Sequence, residues 1–342
     1  MRIPFIRTTL AAAAVLAAVV TPAQGTTGKT EQTLPHDSAY YERALAEEAA
    51  NAPVLEERPE VTAANEAVRA RVHEQLAAGS RHSFTTFTDP TIGKAVLLTD
   101  APRDVVATLV GEHADHVTVI ADPVLNTAAS RKYDSAPFYG GAGIQYYNDP
   151  PCTTGYAVKN AMAKKFLVTA GHCYDNGQSV WVENSPNNTQ NTPEHLGSVS
   201  LDGYPAHDMA LIGGKTYSGN IYVGGTNSTT SAPVATASNP IKYVYTYCHS
   251  GRSTGEQCGH GVVSLDAEVC NYGETCRKPV AAFKGGVLNT GGDSGAPFYT
   301  KFQDSSVAIR GHVIAANSTY GFAETWGRVQ AKYNVSIVTP GA

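Results

Sequence analysis

The 342 residues carry a formal net charge of −5 that is unevenly distributed along the chain. Residues 25–134 hold 17 acidic and 10 basic side chains, whereas residues 135–342 hold 13 of each. Neither part has the basic surface that a nucleic-acid partner requires, so we exclude that class of partner.

The first residues have the pattern of a secretory signal peptide. Arg2 and Arg7 precede an alanine-rich apolar stretch at 9–20, and the small residues that follow permit cleavage. The stretch is shorter than the roughly 20 apolar residues of a membrane-spanning helix. We therefore expect a signal peptide over residues 1–23, a secreted and extracellular product, and no membrane partner.

The next part of the chain predicts a mixture of helices and strands. Residues 24–38 lack periodicity and are expected to be a flexible lead-in. Two stretches rich in Ala, Glu and Arg predict helices at 40–48 and 61–76. A strand, a helix and a second strand are then predicted, which together make a β-α-β unit at 94–99, 102–114 and 116–121. His113 and His116 have no third ligand in view, so we interpret them as surface histidines rather than as a metal site.

From residue 135 onward the chain has the composition of an all-β protein. Short apolar runs alternate with turns rich in Gly, Asn, Ser and Pro, and 27 of the 32 glycines lie here. Strands are predicted at 166–169, 180–182, 243–247, 261–263 and 307–310. Roughly 208 residues suffice for two small β-barrels with a cleft between them.

All six cysteines lie in this second part. Six cysteines allow 15 pairings, but their intervals favour neighbours. A zinc site would need clustered ligands at Cys-x2-4-Cys spacing, which the sequence does not have. In an exported protein we therefore predict three disulfides, which join Cys152 to Cys173, Cys248 to Cys258, and Cys270 to Cys276. We interpret the short loop between Cys270 and Cys276 as a surface staple, with a specificity element as the alternative.

Three short motifs indicate nucleophilic catalysis. Glycines flank Ser294 in the run 291–297 and permit a tight turn that exposes the hydroxyl. His172 lies in the run Thr-Ala-Gly-His-Cys, and Asp208 precedes an apolar stretch that predicts a strand. The order His, Asp, Ser along the chain is that of the chymotrypsin arrangement.

These motifs resemble those of a known family, the secreted bacterial serine endopeptidases of the chymotrypsin fold typified by alpha-lytic protease and the streptogrisins. The similarity covers most of residues 136–342. Four stretches carry it: the glycine-rich opening at 140–144, the stretch from Cys152 to Cys173, the loop from Cys248 to Gly259, and the serine turn. Residues 326–338 are similar to the carboxy-terminal strand and helix of that family.

The resemblance implies an all-β catalytic domain of two six-stranded antiparallel β-barrels with a C-terminal helix, preceded by an α+β pro-region. The expected domains are a signal peptide at 1–23, a pro-region at 24–134 that catalyses folding and inhibits the enzyme, and a catalytic domain at 135–342. Maturation is expected between Asn126 and Tyr139. The expected partners are protein or peptide substrates and the chain's own pro-region. We expect a monomer that needs no metal or other cofactor.

The resemblance also implies a role for each motif residue. Ser294 is the expected nucleophile, His172 the base, and Asp208 the residue that orients the base. The backbone N–H groups of Gly292 and Ser294 are expected to form the oxyanion hole. The substrate pocket is expected to be lined by Leu288, Asn289, Val313, Ala315 and Ala316. No acidic residue is expected at its base, so the predicted preference is an apolar residue at P1, with Glu bound through His312 as the alternative.

Three departures from the family bear on this site. His249 stands where relatives place an arginine that pairs with Asp293, so the cation is expected to be either Arg252 or a charged His249. The run 314–316 is Ile-Ala-Ala where relatives have Ser-Gly-Gly. No cysteine precedes the serine turn, which predicts a looser pocket wall.

Two alternatives to an endopeptidase remain open on the sequence. One is an esterase that uses the same triad on a small acyl ester. The other is a secreted binding protein that keeps the fold and has lost catalysis. The intact triad disfavours the second alternative, whereas the altered run at 314–316 and His249 favour it mildly.

Overall fold

A computed structural model describes residues 32–53, 55, 58–80, 82–120, 134–146, 150–183, 194–270 and 275–341. The expected signal peptide at 1–23 and the larger part of the expected maturation region lie outside the described residues. The residues from Glu31 to Ala342 belong to one unit. We refer to residues 24–134 as the amino-terminal segment and to residues 135–342 as the carboxy-terminal segment.

The described residues of the amino-terminal segment form three α-helices and three strands. In chain order they are α1 (Ser38–Asn51), α2 (Pro59–Ala77), β1 (Phe84–Asp89), β2 (Lys94–Thr99), α3 (Arg103–Val110), a 3-10 helix (Gly111–His116) and β3 (Val117–Ile120). The strands form a sheet in the order β3-β2-β1, in which β2 and β3 are parallel. The β-α-β unit predicted from the sequence is therefore confirmed as β2-α3-β3.

Helix α2 packs on this sheet because its apolar residues recur every three or four positions. Val61, Ala64, Val68 and Val72 are all buried, in one cluster with residues of the sheet. Strand β1 was not predicted, because the Thr-rich sequence of 84–89 lacks a run of β-branched apolar residues. In the structure β1 pairs with a strand on each side. Phe84 and Phe87 lie on opposite faces of the sheet, and each packs in a hydrophobic cluster.

The carboxy-terminal segment is almost entirely β. Its strands are β4 (Phe138–Gly140), β5 (Gly143–Gln145), β6 (Cys152–Thr153), β7 (Ala157–Lys159), β8 (Lys165–Thr169), β9 (Ser179–Val182), β10 (His195–Asp202), β11 (Ala210–Gly213), β12 (Tyr217–Tyr222), β13 (Ser231–Ala237), β14 (Tyr247–Gly251), β15 (Gly255–Cys270), β16 (Arg277–Lys284), β17 (Pro297–Lys301), β18 (Val307–Ala316), β19 (Gly321–Thr325) and β20 (Ser336–Ile337). A 3-10 turn lies at Gly171–Cys173, and helix α4 covers Trp326–Tyr333.

The strands belong to two sheets. One has the order β20-β7-β8-β11-β10-β9-β5-β6. The other has the order β3-β2-β1-β15-β14-β17-β18-β13-β12-β4, with β16 and β19 paired to its β15 and β18. The predicted fold class is confirmed, because the chain is mostly β, with a closed six-stranded barrel, a half-barrel and a carboxy-terminal helix.

The sheet of the amino-terminal segment continues directly into the second sheet. Strand β1 pairs antiparallel with β15, with Thr85 opposite Val269. Phe87 lies on the face of β1 that covers the carboxy-terminal segment, and its ring is 4.9 Å from that of Tyr320 and 6.0 Å from that of Phe322. One hydrophobic cluster therefore contains residues of both segments.

One predicted strand is wrong in its position. The run at 243–247 has alternating aromatic residues, but only Tyr247 belongs to a strand, the first residue of β14. Tyr243 has a φ of 68°, which breaks an extended run. Within the described part of the chain, no helix is both long and apolar enough to cross a membrane.

Candidate active site

Ser294 lies in a tight turn before β17. The flanking Gly292 and Gly295 have φ values of 89° and 90°. Residues other than glycine rarely adopt this part of the Ramachandran plot. A Cβ on Gly295 would lie 2.3 Å from the carbonyl oxygen of Thr153. The turn can therefore pack against β6 only with glycine at this position. The serine itself is 5% exposed.

His172 and Asp208 lie beside two neighbouring strands, His172 in the 3-10 turn that follows β8 and Asp208 just before β11. Thr169 at the end of β8 pairs with Ala210 at the start of β11, so the residues just beyond these ends lie together. The His172 Nδ1 atom is 2.8 Å from Asp208 Oδ2 and 2.9 Å from Oδ1. The backbone N–H of His172 also donates to Oδ1 at 3.0 Å. The carboxylate thus fixes both the ring and the backbone of the histidine.

Asp208 is buried and is held as a carboxylate. Burial acts to raise its pKa, but His172 and the nearby guanidinium of Arg277 outweigh burial and lower the pKa to about 2. Arg277 Nη1 lies 3.4 Å from Asp208 Oδ2, and the arginine is itself buried. An ionised Asp208 can stabilise a proton on the imidazole.

Two further buried groups hold the backbone of Asp208. Its N–H donates to Glu324 Oε1 at 2.8 Å, and its carbonyl oxygen lies 2.8 Å from His312 Nε2. Glu324 is in turn paired with Arg328 at 2.6 Å. Arg277 and Glu324 were not predicted in this role, although a charged residue inside an apolar strand such as β19 is a signal that could have identified Glu324.

The serine turn abuts the histidine turn through the Cys152–Cys173 disulfide. The carbonyl oxygen of Ser294 accepts the N–H of Thr153 at 2.8 Å and lies 4.0 Å from Cys173 Sγ. Among the hydrogen bonds of the described residues, none joins the Ser294 hydroxyl to the His172 ring. The structure therefore brings His172 and Asp208 into direct contact and places the backbone of Ser294 beside the residue that follows His172.

The turn also leaves backbone donors available. Thr153 Oγ1 donates to the carbonyl oxygen of Gly292 at 2.6 Å, which fixes the orientation of that peptide group. Among the backbone hydrogen bonds of the described residues, none is donated by the N–H groups of Gly292 and Ser294. These are the two groups that the sequence assigned to an oxyanion hole.

The five residues assigned to the substrate pocket differ in their surroundings. Leu288 and Ala315 are half-buried, and Ala316 is buried. Asn289 is also buried, and its Nδ2 donates to the carbonyl oxygen of Ala315 at 3.0 Å. Val313 packs in a cluster with phenylalanines and has no exposed surface. The structure thus links the loop before the serine turn to the end of β18 by a hydrogen bond, where the sequence offers no cysteine for a disulfide.

Asp293 is buried behind the turn and bound mainly by neutral donors. Its carboxylate accepts from the N–H groups of Ser253, Thr254 and Thr290 at 2.8, 3.2 and 3.0 Å, and from the Thr254 hydroxyl at 2.9 Å. Burial raises the pKa of Asp293, although these hydrogen bonds oppose the rise. His249 Nε2 lies 3.9 Å from the carboxylate.

Arg252 does not pair with Asp293. Its guanidinium makes a buried ion pair with Glu183, in which Nε lies 2.6 Å from Oε2 and Nη2 contacts Oε1. This expectation from the sequence is therefore corrected in favour of His249. Arg252 instead ties β14 to the other sheet, where Glu183 follows β9.

The three disulfides have the predicted pairing, which is Cys152–Cys173, Cys248–Cys258 and Cys270–Cys276. Two groups of described residues have the spacing of metal ligands, one around His172 and one around His73. Each group includes cysteine sulfur that is tied in a disulfide. A metal would therefore find no thiolate in either group.

No protein-family model and no curated protein matches the chain. Among solved structures, it is similar to the Nocardiopsis protease, with 21% identity over 59% of this chain and 98% of that one, and a TM-score of 0.47. Protease A of Thermobifida fusca matches at 20% identity over 59% and 98%, with a TM-score of 0.46. The chymotrypsin of Cellulomonas bogoriensis matches at 19% over 59% and 98%, with a TM-score of 0.44. At low identity, the chain resembles the bacterial serine proteases of the chymotrypsin fold.

Proposed function

We propose that this protein is a secreted serine endopeptidase that acts through His172, Asp208 and Ser294 and is made as a pro-enzyme. The observation that carries the proposal is the double contact of a buried, ionised Asp208 with the ring and backbone of His172. A carboxylate in that position holds the Nδ1–H tautomer and leaves Nε2 free to act as a base.

In the proposed reaction, the Ser294 hydroxyl attacks the scissile carbonyl carbon and its proton passes to Nε2 of His172. The protonated ring then gives that proton to the leaving amine, so an acyl-enzyme and a new amino terminus are formed. Water, activated by the same nitrogen, hydrolyses the ester and restores the hydroxyl. The N–H groups of Gly292 and Ser294 would stabilise the oxyanion, a contribution of about 2.7 to 4 kcal/mol for each donor.

The proposed substrates are proteins or peptides with an apolar residue at the cleavage position. Leu288 and Ala315 provide apolar surface beside the turn, and Asn289 is engaged with the backbone of Ala315. His312 is fully buried and its Nε2 is engaged with the carbonyl oxygen of Asp208, which disfavours the alternative that it binds a Glu side chain.

The amino-terminal segment is the proposed pro-region. Its support is the strand pairing of β1 with β15 and the packing of Phe87 on Tyr320 and Phe322. Strand β1 would hold β15 and β16 in register while the carboxy-terminal segment folds. Export through a signal peptide at 1–23 and cleavage between Asn126 and Tyr139 remain part of this proposal.

A fluorophosphonate probe tests the proposed chemistry, because it labels an activated serine. We expect labelling of the matured protein and none in Ser294→Ala, together with cleavage of a peptide library mainly after apolar residues. Labelling without peptide cleavage would indicate the esterase. An unlabelled but folded protein would indicate the binding protein, which is favoured by the lack of a hydrogen bond between Ser294 and His172 among the described residues.

A further inference from the structure

The guanidinium of Arg310 lies buried at the boundary between the two segments. This residue of β18 is 1% exposed, and its charged group lies 5.6 Å from the ring of Tyr247. Its Nε donates to Thr300 Oγ1 at 3.1 Å, and its Nη1 donates to Ser238 Oγ at 2.6 Å and to the carbonyl oxygen of Asn239 at 3.1 Å. The carboxy-terminal segment thus orients the cation with neutral oxygens and an aromatic ring.

The compensating charge comes from the amino-terminal segment. Arg310 Nη2 donates to Glu48 Oε2, on helix α1. Glu48 is the single carboxylate that pairs with Arg310 among the described residues. A buried cation without such a partner is strongly destabilising, so the geometry of the site is complementary to a carboxylate.

Helix α1 is fixed near its other end as well. Tyr41 donates from its hydroxyl to Asp304 Oδ2 at 2.8 Å, and its ring packs 5.1 Å from that of Phe302. The two contacts are seven residues apart, which is about two turns of the helix, so both lie on the same face. Glu48 is therefore delivered to Arg310 by a helix whose rotation is already set.

A cavity of about 520 Å³ lies beside the ion pair. Its wall includes Arg43 and Glu47 of α1, and Thr246, Lys301 and Gln303 of the carboxy-terminal segment. The space exceeds what the Glu48 carboxylate fills. A small anion from solvent therefore has a route to the Nη2 side of Arg310.

We propose that Arg310, Thr300, Ser238 and Tyr247 form a carboxylate-binding site of the carboxy-terminal segment, which Glu48 occupies in the full chain. When Glu48 is withdrawn, the site binds a carboxylate ligand, such as the acidic side chain of a peptide. The part of this proposal that concerns the mature protein rests on the proposed removal of the amino-terminal segment. The site itself requires no proteolytic activity.

The test uses the full chain with Ser294→Ala, so that self-cleavage plays no part whether or not the protein is a protease. In this background we expect Glu48→Ala to lower the melting temperature by about 5 to 10 °C, because Arg310 loses its counter-charge. Sodium acetate at pH 7 should then restore at least half of the loss in a saturable manner. Sodium chloride at the same ionic strength should not.

Glu47→Ala is the matched control, because Glu47 is the neighbouring exposed carboxylate on α1 and lines the same cavity. We expect it to change the melting temperature by less than about 2 °C and to show no acetate effect. Hydrogen exchange gives a second readout: acetate should slow exchange in Val307–Ala316 of the Glu48→Ala protein only. Equal rescue by chloride, or no rescue by acetate, would overturn the proposal.

Discussion

Asp208 has a cationic partner that the motif alone does not contain. Arg277 Nη1 lies 3.4 Å from Asp208 Oδ2. The guanidinium is buried and also lies over the ring of Tyr204, at 5.3 Å from its centre. Arg277 therefore acts as a positioning residue that keeps the carboxylate ionised and directed toward His172.

We expect Arg277→Met to reduce kcat by about ten- to a hundredfold and to leave KM within about threefold, because the arginine acts on the base rather than on the substrate. Arg277→Lys should recover part of the loss. The stability that an ionised Asp208 provides is present above its ordinary pKa and is lost as pH falls toward about 2. Without Arg277 the pKa of native Asp208 moves back toward its ordinary value, so the loss should be smaller and should be complete at a higher pH.

Thermal unfolding of the Ser294→Ala protein between pH 6 and 2 measures the second effect, with and without Arg277→Met. An unchanged kcat together with superimposable pH curves would remove Arg277 from the mechanism. A lower kcat with unchanged pH curves would mean that the arginine acts on packing and not on the charge of Asp208.

Both ring nitrogens of His249 lie within hydrogen-bond distance of a neighbouring side chain. His260 donates from Nδ1 to the carbonyl oxygen of Gly285 at 2.7 Å, so its Nε2 accepts from His249 Nδ1 at 2.9 Å. Thr254 gives its hydroxyl proton to Asp293, so it accepts from His249 Nε2 at 2.8 Å. With these roles both nitrogens of His249 are donors, which is the hydrogen-bond pattern of a protonated ring, and Nε2 lies 3.9 Å from Asp293.

Loss of that proton would leave Asp293 without a counter-charge. If Asp293 needs that counter-charge, activity should fall as pH rises above neutral. We expect His249→Arg, which has a permanent charge, to flatten the alkaline side of the pH–activity profile.

The control for this prediction is His195→Arg, which changes a half-buried histidine outside the serine turn. Its alkaline profile should match that of the wild type. A His249→Ala protein with the same activity and the same alkaline profile as the wild type would show that the charge on His249 is irrelevant.

Strand β1 is the element that connects the two segments. Successive side chains of a strand point to opposite faces, so Phe84 packs under α2 whereas Phe87 packs on Tyr320 and Phe322. This position between the two segments explains why β1 was not predicted from the sequence. The apolar residues of β1 are few, and its stability comes from pairing with β15, which is about 180 residues away in the chain.

We expect Phe87→Ala in the full chain to reduce the yield of active enzyme at least tenfold, because truncation of a buried Phe costs about 3 to 5 kcal/mol of the contact between the segments. Secreted activity per amount of translated protein measures the effect. Ile92→Ala is the control, since Ile92 follows β1 and is 46% exposed. Equal yields from the two variants would contradict a role for β1 in folding.

The sequence predicted those parts of the fold that local patterns determine. Local patterns were sufficient to predict helix α2, the β-α-β unit and the three disulfides. The motif residues His172 and Asp208 are in contact, as the sequence predicted. What it did not predict depends on partners far away in the chain. Arg277 reaches Asp208 across 69 residues, and no local pattern relates them. Tyr243 was predicted in a strand because the alternating aromatic residues of 243–247 do not reveal its positive φ.

At the scale of the whole molecule, each segment buries charges that the other neutralises. Glu268 of the carboxy-terminal segment pairs with Arg69 at 2.9 Å and His73 at 3.0 Å, both on α2. Asp89 of the amino-terminal segment pairs with Lys284 at 2.8 Å, and Arg310 pairs with Glu48. Glu268, Asp89 and Arg310 are each at most 1% exposed. Asp89 and Arg310 take their counter-charges from the other segment, whereas Glu268 also pairs with Lys278 of its own segment at 3.0 Å.

Deletion of residues 24–134 should therefore reduce the yield of active enzyme to less than about a tenth, with the signal peptide retained. The carboxy-terminal segment holds 27 of the 32 glycines, which lose the most backbone freedom on folding, so its ordering cost is high. The deletion would also expose Phe322 and leave Arg310 without its carboxylate partner, whereas Glu268 would keep only Lys278. Co-expression of residues 24–134 as a separate chain should restore the yield, and the Phe87→Ala form of that chain should not. A normal yield from the deletion alone would show that the carboxy-terminal segment folds without assistance, and that the interface serves inhibition or storage instead.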